Sequence, residues 1–372
     1  MITTESAERL RRRMADQLVA EGTLRSTEWH AAFAAVPREL FVPEFTVRTA
    51  GGALTTYRMS DPGYLEAVYA DVSLLTRHDA HGTTTSSSTR PTMMALMLEA
   101  LAPNEGRVLE VGTGTGYNAA VLSHRYGSRR IVSLDIDPSL VGAARTRLAA
   151  AGYTPTLTVG DGTRECPEHA PFAGLIATCG IGRIPQAWSA QVRPGGSIVA
   201  NLGCGLVALT VGDDHSAAGR FLPTLAAFMT ARSNRTIVAA PARSHAGQLM
   251  TAVGPSREID LPVDLTADMP RFLGSLVQPD VVELTLIDDN DRQVHGLTHA
   301  ASGSWARITP REDGSARLEA GGPRALWDER APLLRHWAGA GTPGADAYTL
   351  SVHSNGRHSL QLDDGTRWAL SA

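Results

Sequence analysis

The chain has 372 residues, enough for two domains or for one large domain with a satellite, and an ordinary apolar fraction of 43%. Its net charge of −4 argues against nucleic-acid phosphate as the main partner, and every basic residue besides histidine is arginine, which excludes a lysine Schiff base and a P-loop lysine. No apolar run is long enough to span a bilayer and residues 1–14 lack a signal-peptide core, so a cytoplasmic protein with no membrane partner is expected. Three cysteines, Cys166, Cys179 and Cys204, show no CxxC spacing and read as small buried hydrophobes rather than a disulfide or zinc framework.

Residues 1–104 read as a helical cap with loops. Helical spacing covers residues 7–20 and 27–35, and Asp61-Pro62-Gly63 marks a turn. Residues 83–89 form a Ser/Thr tract read as a loop, with His78 and His81 at its flank. Met93, Met94, Met97, Leu98 and Leu101 then make one apolar helical face, read as core packing rather than as a methionine-lined site.

From residue 105 to 230 strands alternate with helices. Strands are expected at 107–111, 130–135, 156–159, 174–178 and 197–201, with helices at 117–126 and 138–151, the second opening on Pro138. This order predicts a Rossmann-like, doubly wound parallel sheet. Residues 231–372 carry short strand-like runs at 281–287, 305–309 and 348–352 and a helix at 325–337, and read as a smaller C-terminal α+β domain.

The sharpest motif is the run from Val108 to Asn118, a strand that enters Gly112, Gly114 and Gly116 and then a helix. Glycines there permit a sharp turn and close ligand approach at a helix N-terminus. The G-x-G-x-G spacing departs from the G-x-G-x-x-G of a dinucleotide loop. Glu110, two residues upstream, would repel a pyrophosphate and suit a ligand with an ammonium and a sulfonium. Asp135 ends the second strand, where a carboxylate accepts ribose hydroxyls, and Asp161 follows the third, where it takes the adenine amino group. S-adenosylmethionine is therefore the expected cofactor, held by Glu110, Gly112, Thr113, Gly114, Thr115, Gly116, Asn118, Asp135, Ile136, Asp161 and Gly162. Ser87, Ser88 and Thr89 are the candidates for positioning an acceptor carboxylate, since hydroxyls donate to it without neutralising it; a plain helix-capping loop is the competing reading. Arg90 is either a further carboxylate partner or a surface residue. No general base is required, because an aspartate side chain with a pKa of about 3.9 is ionised at neutrality. The scattered histidines, His353 and His358 among them, give no metal pattern.

Three segments carry a family resemblance. Val36-Pro37-Arg38-Glu39-Leu40-Phe41-Val42-Pro43 resembles the VPRExFVP signature of protein L-isoaspartate O-methyltransferases. Residues 85–91 resemble that family's T-x-S-x-P segment, with Thr89 where the family has serine. The runs 170–179, Ile184-Pro185 and Arg193-Pro194-Gly195-Gly196 resemble its later strands and turns. Repair enzymes of the family are expected to stop soon after the sheet. The longer chain, with Thr89, Gly219-Arg220-Phe221-Leu222-Pro223 and Trp368, resembles a branch encoded beside ATP-grasp peptide ligases. That likeness implies methylation of an aspartate in a crosslinked, macrocyclic ribosomal peptide (a graspetide), followed by aspartimide closure, with transient contact to the ligase. Isoaspartyl repair and the equivalent reaction on lanthipeptides are the alternatives, beside a small-molecule methyltransferase and a non-catalytic partner of a peptide ligase. Deleting the residues after Thr230 is expected to abolish peptide methylation while sparing cofactor binding.

Overall fold

A computed structural model describes residues 4–49, 51–103, 105–164, 166–232, 242–261, 263–288 and 291–370. The first two helices follow the spacing read from sequence: α1 (Thr4–Ala20) and α2 (Thr27–Ala35). Ala7, Met14, Ala15 and Leu18 fall on the buried side of α1, one helical stripe.

The rest of the cap differs from the helix-and-loop expectation. It contains α3 (Arg38–Phe41), β1 (Glu44–Arg48), β2 (Leu54–Arg58), α4 (Tyr64–Val68), β3 (Leu74–His78), β4 (Thr84–Ser88) and α5 (Pro91–Ala100). The strands make an antiparallel sheet of order β2-β1-β3-β4. The Ser/Thr tract is thus its edge strand β4, not a loop.

The central layer is β5 (Arg107–Val111), α6 (Tyr117–Tyr126), β6 (Ile131–Asp135), α7 (Pro138–Ala150), β7 (Thr156–Val159), β8 (Phe172–Ile181), α8 (Gln186–Gln191), β9 (Val192–Leu202), β10 (Gly205–Val211) and β11 (Ala217–Leu225). Strands β5 to β9 are parallel, fully buried at β5 and β6 except for Arg107, as a sheet covered on both faces requires. Strand order reverses between β5 and β8, and a crevice opens at the carboxyl ends of such strands.

Beyond the described residue Arg232 come α9 (Ala242–Thr251), β12 (Ser256–Asp260), α10 (Asp268–Val277), β13 (Val282–Ile287), β14 (Gln293–His299), β15 (Ser304–Pro310), β16 (Ser315–Gly321) and α11 (Leu326–Gly339). Strands β12 to β16 form a five-stranded antiparallel sheet. The chain then returns as β17 (Tyr348–Val352), β18 (His358–Leu362) and β19 (Arg367–Leu370), which extend the central sheet to ten strands through the β11–β17 pairing. The segment after residue 231 thus holds the expected α+β arrangement in β12 to β16 with α9 to α11, while its last three strands, β17 to β19, join the central sheet. One continuous core joins Leu109 and Val132 to Phe272, Trp327 and Tyr348.

Candidate functional site

A cavity of about 750 Å³ lies at the carboxyl ends of β5, β6 and β8, roofed by β4. That is an ordinary volume for a small-molecule site. Its walls include Gly112, Thr113, Gly114, Thr115, Asn118, Asp135, Ile136, Asp161 and Gly162 on one side and Ser87, Ser88 and Thr89 on the other. The two residue groups singled out from the sequence thus share one space.

The glycine turn is shaped by its neighbours. Gly112 has φ +98°, and a Cβ there would lie 2.9 Å from Thr178 Oγ1; Gly162 would place one 2.3 Å from Val111 Cγ1. Both positions exclude a side chain, so the backbone of each loop closes against the sheet edge. Gly116 has a different duty from the one expected. It does not line the cavity; it caps α6 at φ +90° and would bring a Cβ within 3.1 Å of Ala144 Cβ, so its smallness serves the packing of α6 on α7.

Glu110 also departs from expectation. Its side chain is fully buried and absent from the cavity wall. Burial, with Asp135 nearby, pushes its carboxyl up to about 7 against the hydrogen bonds from Ser133 and Asn118. Asn118 Nδ2 donates to Glu110 Oε1 at 2.7 Å and Ser133 Oγ to the other oxygen. Glu110 acts in this structure on Asn118. It turns the amide of Asn118, whose buried Oδ1 has no partner among the described residues. An unpaired acceptor on a cavity wall is costly unless a donor arrives.

Asp135 is buried and its carboxyl is pushed up by that burial, despite accepting from Gly114 N (2.9 Å) and Asp137 N (3.0 Å). Each oxygen retains capacity for another donor. At Asp161 burial also pushes up, but the hydroxyl and amide of Thr163 (2.6 and 3.0 Å) and Arg164 outweigh it and hold the carboxyl below its usual range. Trp188, buried on α8, donates Nε1–H to Gly162 O at 2.7 Å and fixes that loop.

On the opposite wall β4 alternates. Ser86 and Ser88 are buried: Thr76 Oγ1 donates to Ser86 Oγ at 3.2 Å, and Arg38 Nη2 reaches Ser88 Oγ at 3.5 Å. Ser87 and Thr89 are half-buried on the other face. Arg38, from the VPRExFVP-like segment, is wholly buried and also donates to the carbonyls of Val68 (2.9 Å), Ala70 (3.3 Å) and Thr89 (3.0 Å). It nails the end of β4 to the cap.

The other side chains named from the sequence divide between core and cavity. Arg90 lines the cavity but its Nη2 is held at 2.6 Å by Asp71 Oδ2. Met93 and Met94 pack in the core and line the cavity too, whereas Met97, Leu98 and Leu101 only pack. Cys166 is buried; Cys179 lines the cavity, with its thiol pushed up to about 12 by burial and by Asp135; Cys204 is half-buried. His358 Nε2 accepts from Ile184 N at 3.1 Å, a bond between β18 and the loop after β8. Among the described residues no group of three or more His, Cys, Asp or Glu could hold a metal ion, and no helix is long and apolar enough to cross a membrane.

A wall segment that sequence reasoning missed is residues 225–232, which run from β11 over the cavity and include Arg232. Arg232 Nη2 lies 3.5 Å from Thr85 O on β4. No motif announces it; only the fold brings it there.

The donor set fits S-adenosylmethionine. A buried carboxylate at the end of β6 suits ribose hydroxyls, the unpaired Asn118 Oδ1 suits an ammonium, and the side-chain-free turn at Gly112–Gly114 admits close approach.

Comparison with known proteins gives the same direction. Residues 9–208 match the family model for protein-L-isoaspartate(D-aspartate) O-methyltransferase. A protein-L-isoaspartate O-methyltransferase of Methylorubrum extorquens is 40% identical over 200 residues, 54% of this chain and 76% of that protein. One from Azorhizobium caulinodans is 42% identical over 145 residues, 38% of this chain and 63% of that protein. A solved protein-L-isoaspartate O-methyltransferase superposes with a TM-score of 0.56 at 24% identity, covering 95% of this chain and 99% of its own. That fold match corrects one expectation: proteins of this name do not all stop soon after the sheet, so length past residue 230 is no mark of a peptide-ligase-associated branch.

Proposed function

The chain belongs to the protein-L-isoaspartate(D-aspartate) O-methyltransferase family, whose members are S-adenosylmethionine-dependent carboxyl O-methyltransferases, and we propose that its acceptor is the free α-carboxylate of an isoaspartyl residue in a peptide or protein. The observation that carries this reading is one cavity lined by Gly112, Gly114 and Asp135 together with Ser87 and Thr89. When bound, the cofactor supplies an electrophilic methyl group on a sulfonium. The chain's own residues do the rest by placement. Asp135 and Asn118 orient the nucleoside and amino-acid ends, while Ser87 and Thr89 donate to one carboxylate oxygen and leave the other free for in-line attack. A carboxylate is already ionised, so no base is needed. Walls formed by Met93, Met94 and residues 225–232 exclude water from the reacting pair. The methyl ester then closes to a succinimide: the following amide nitrogen attacks the ester carbonyl, loses its proton, and methanol leaves. That step is intramolecular and needs no further group.

Methyl-labelled cofactor offered with three peptides tests the reading: one isoaspartyl, one with ordinary aspartate, and one side-chain-crosslinked ribosomal peptide made by an ATP-grasp ligase. Preferred turnover of the isoaspartyl peptide is expected. Preference for the crosslinked peptide would replace this reading with aspartate methylation in a macrocycle. Thr89→Val should lower kcat/KM by roughly tenfold or more, the worth of one hydrogen bond to a charged group, with cofactor affinity retained.

A further inference from the structure

Residues 225–232 form a wall that is fixed before any ligand arrives. Gly180 N donates to Met229 O at 2.8 Å, and Ala231 N donates to Gly180 O at 2.7 Å. Asn201, fully buried, donates from Nδ2 to Ala226 O (2.5 Å) and Gly205 O (3.0 Å) and accepts from Phe228 N at 3.1 Å. A Cβ on Gly180 would stand 2.8 Å from Phe228 O, so only glycine lets the segment lie this close. The segment lies beyond residue 208, where the family match ends.

Within this segment Arg232 faces the hydroxyl strand. One guanidinium nitrogen reaches Thr85 O, and no carboxylate among the described residues comes within ion-pair distance of the others. The second arginine on the cavity wall, Arg90, is committed to Asp71. Arg232 lines the same cavity as Asp135, whose ionised form its charge favours.

We propose that Arg232 is a specificity residue that anchors the acceptor carboxylate against β4, opposite Ser87 and Thr89; this rests on the acceptor assigned above. A guanidinium donates to carboxylate oxygens with charge assistance. The interaction is strongest before reaction, because methyl transfer turns the anion into a neutral ester. Arg232 therefore contributes to substrate binding and not to kcat, and its grip relaxes on the product, which favours release.

The experiment measures binding of two peptides to the full chain saturated with S-adenosylhomocysteine: an isoaspartyl peptide and its analogue with the free carboxylate replaced by an amide. In the parent the isoaspartyl peptide should bind about tenfold or more tightly than the amide, as charge-assisted hydrogen bonds do. Arg232→Gln should close that gap, Arg232→Lys should restore part of it, and KM should rise by a similar factor with kcat within about threefold. A gap that persists in Arg232→Gln, or a parallel loss of S-adenosylhomocysteine affinity, overturns the role given to Arg232 alone. A parent chain that binds neither peptide overturns the acceptor reading and the anchor with it.

Discussion

Between pH 5 and 8 Glu110 loses its proton in the folded chain, where burial holds its carboxyl near 7, whereas in the unfolded chain it ionises near the ordinary 4.5. The folded state thus binds a proton over that window that the unfolded state has already released. Stability from this group is complete below the unfolded value and falls as pH rises toward 7. Glu110→Gln keeps the shape and removes the titration: Oε1 accepts from Asn118, and the amide donates to Ser133, whose hydroxyl turns to Thr113 2.6 Å away. The variant should be more stable than the parent at pH 8, by an amount on the order of 2–3 kcal/mol, and the two should converge toward pH 5. Denaturant titrations at both pH values check this; a variant weaker than its parent at pH 8 would remove the account. The sequence places an acid at residue 110 but not which way it points. Ser133 lies 23 residues away and reaches the acid only through the pairing of β5 with β6, while Asn118, eight residues on, meets it across the glycine turn; together they make the acid a buried support for Asn118.

At the scale of elements, the parallel strands and their helices were legible because both faces of the sheet are covered, leaving short apolar runs between glycine and proline signals. Strand β4 was not. A half-buried strand announces itself by apolar and polar residues in alternation, but both faces of Thr84–Ser88 meet polar partners. Ser86 and Ser88 meet Thr76 and Arg38; Ser87 meets the cavity. A run of hydroxyls therefore looked like a loop. The same geometry makes Arg38 the residue on which that strand's position depends. Arg38→Met keeps most of the apolar stem but removes the donor to the carbonyls of Val68 and Thr89, while Ala70 O keeps the amide of Val72 at 2.9 Å. Each buried acceptor left unpaired costs roughly 1–3 kcal/mol. The variant should lose several kcal/mol in denaturant titration, and kcat should fall further than cofactor affinity, since the displaced element carries the acceptor hydroxyls. Arg38→Met folding as stably as the parent would show that the cap holds β4 without it.

For the whole molecule, sequence order misleads about where the chain divides. The shift in composition after Thr230 suggested an independent C-terminal unit, and pairing between β11 and β17 is a non-local event that no local pattern announces. In the fold, Ala217↔Val352 and Ala218↔Ser351 are neighbours across one sheet. Phe272 lies with its ring 4.9 Å from Phe221 and 6.3 Å from Tyr348, so β11, α10 and β17 share one packed centre. His358 reaches back to Ile184 N, beside the strand whose end carries Cys179 and Gly180 at the cavity. Removing everything after residue 230 would strip β17 to β19 from the sheet and expose Phe221, Leu209 and Val211, all now buried. The truncated chain should therefore lose cofactor binding together with peptide methylation, contrary to what a separable recognition domain implies. The intact chain should unfold in one calorimetric transition, shared by the fluorescence of Trp188 in the cofactor layer and Trp327 in α11. Saturating S-adenosylhomocysteine should raise that single transition as a whole, because a ligand that binds only the folded state stabilises every element folded with its site. Two resolved transitions, with only the lower or the upper one moved by ligand, would mean that the continuous core does not act as one unit and that the division near residue 230 is energetic after all.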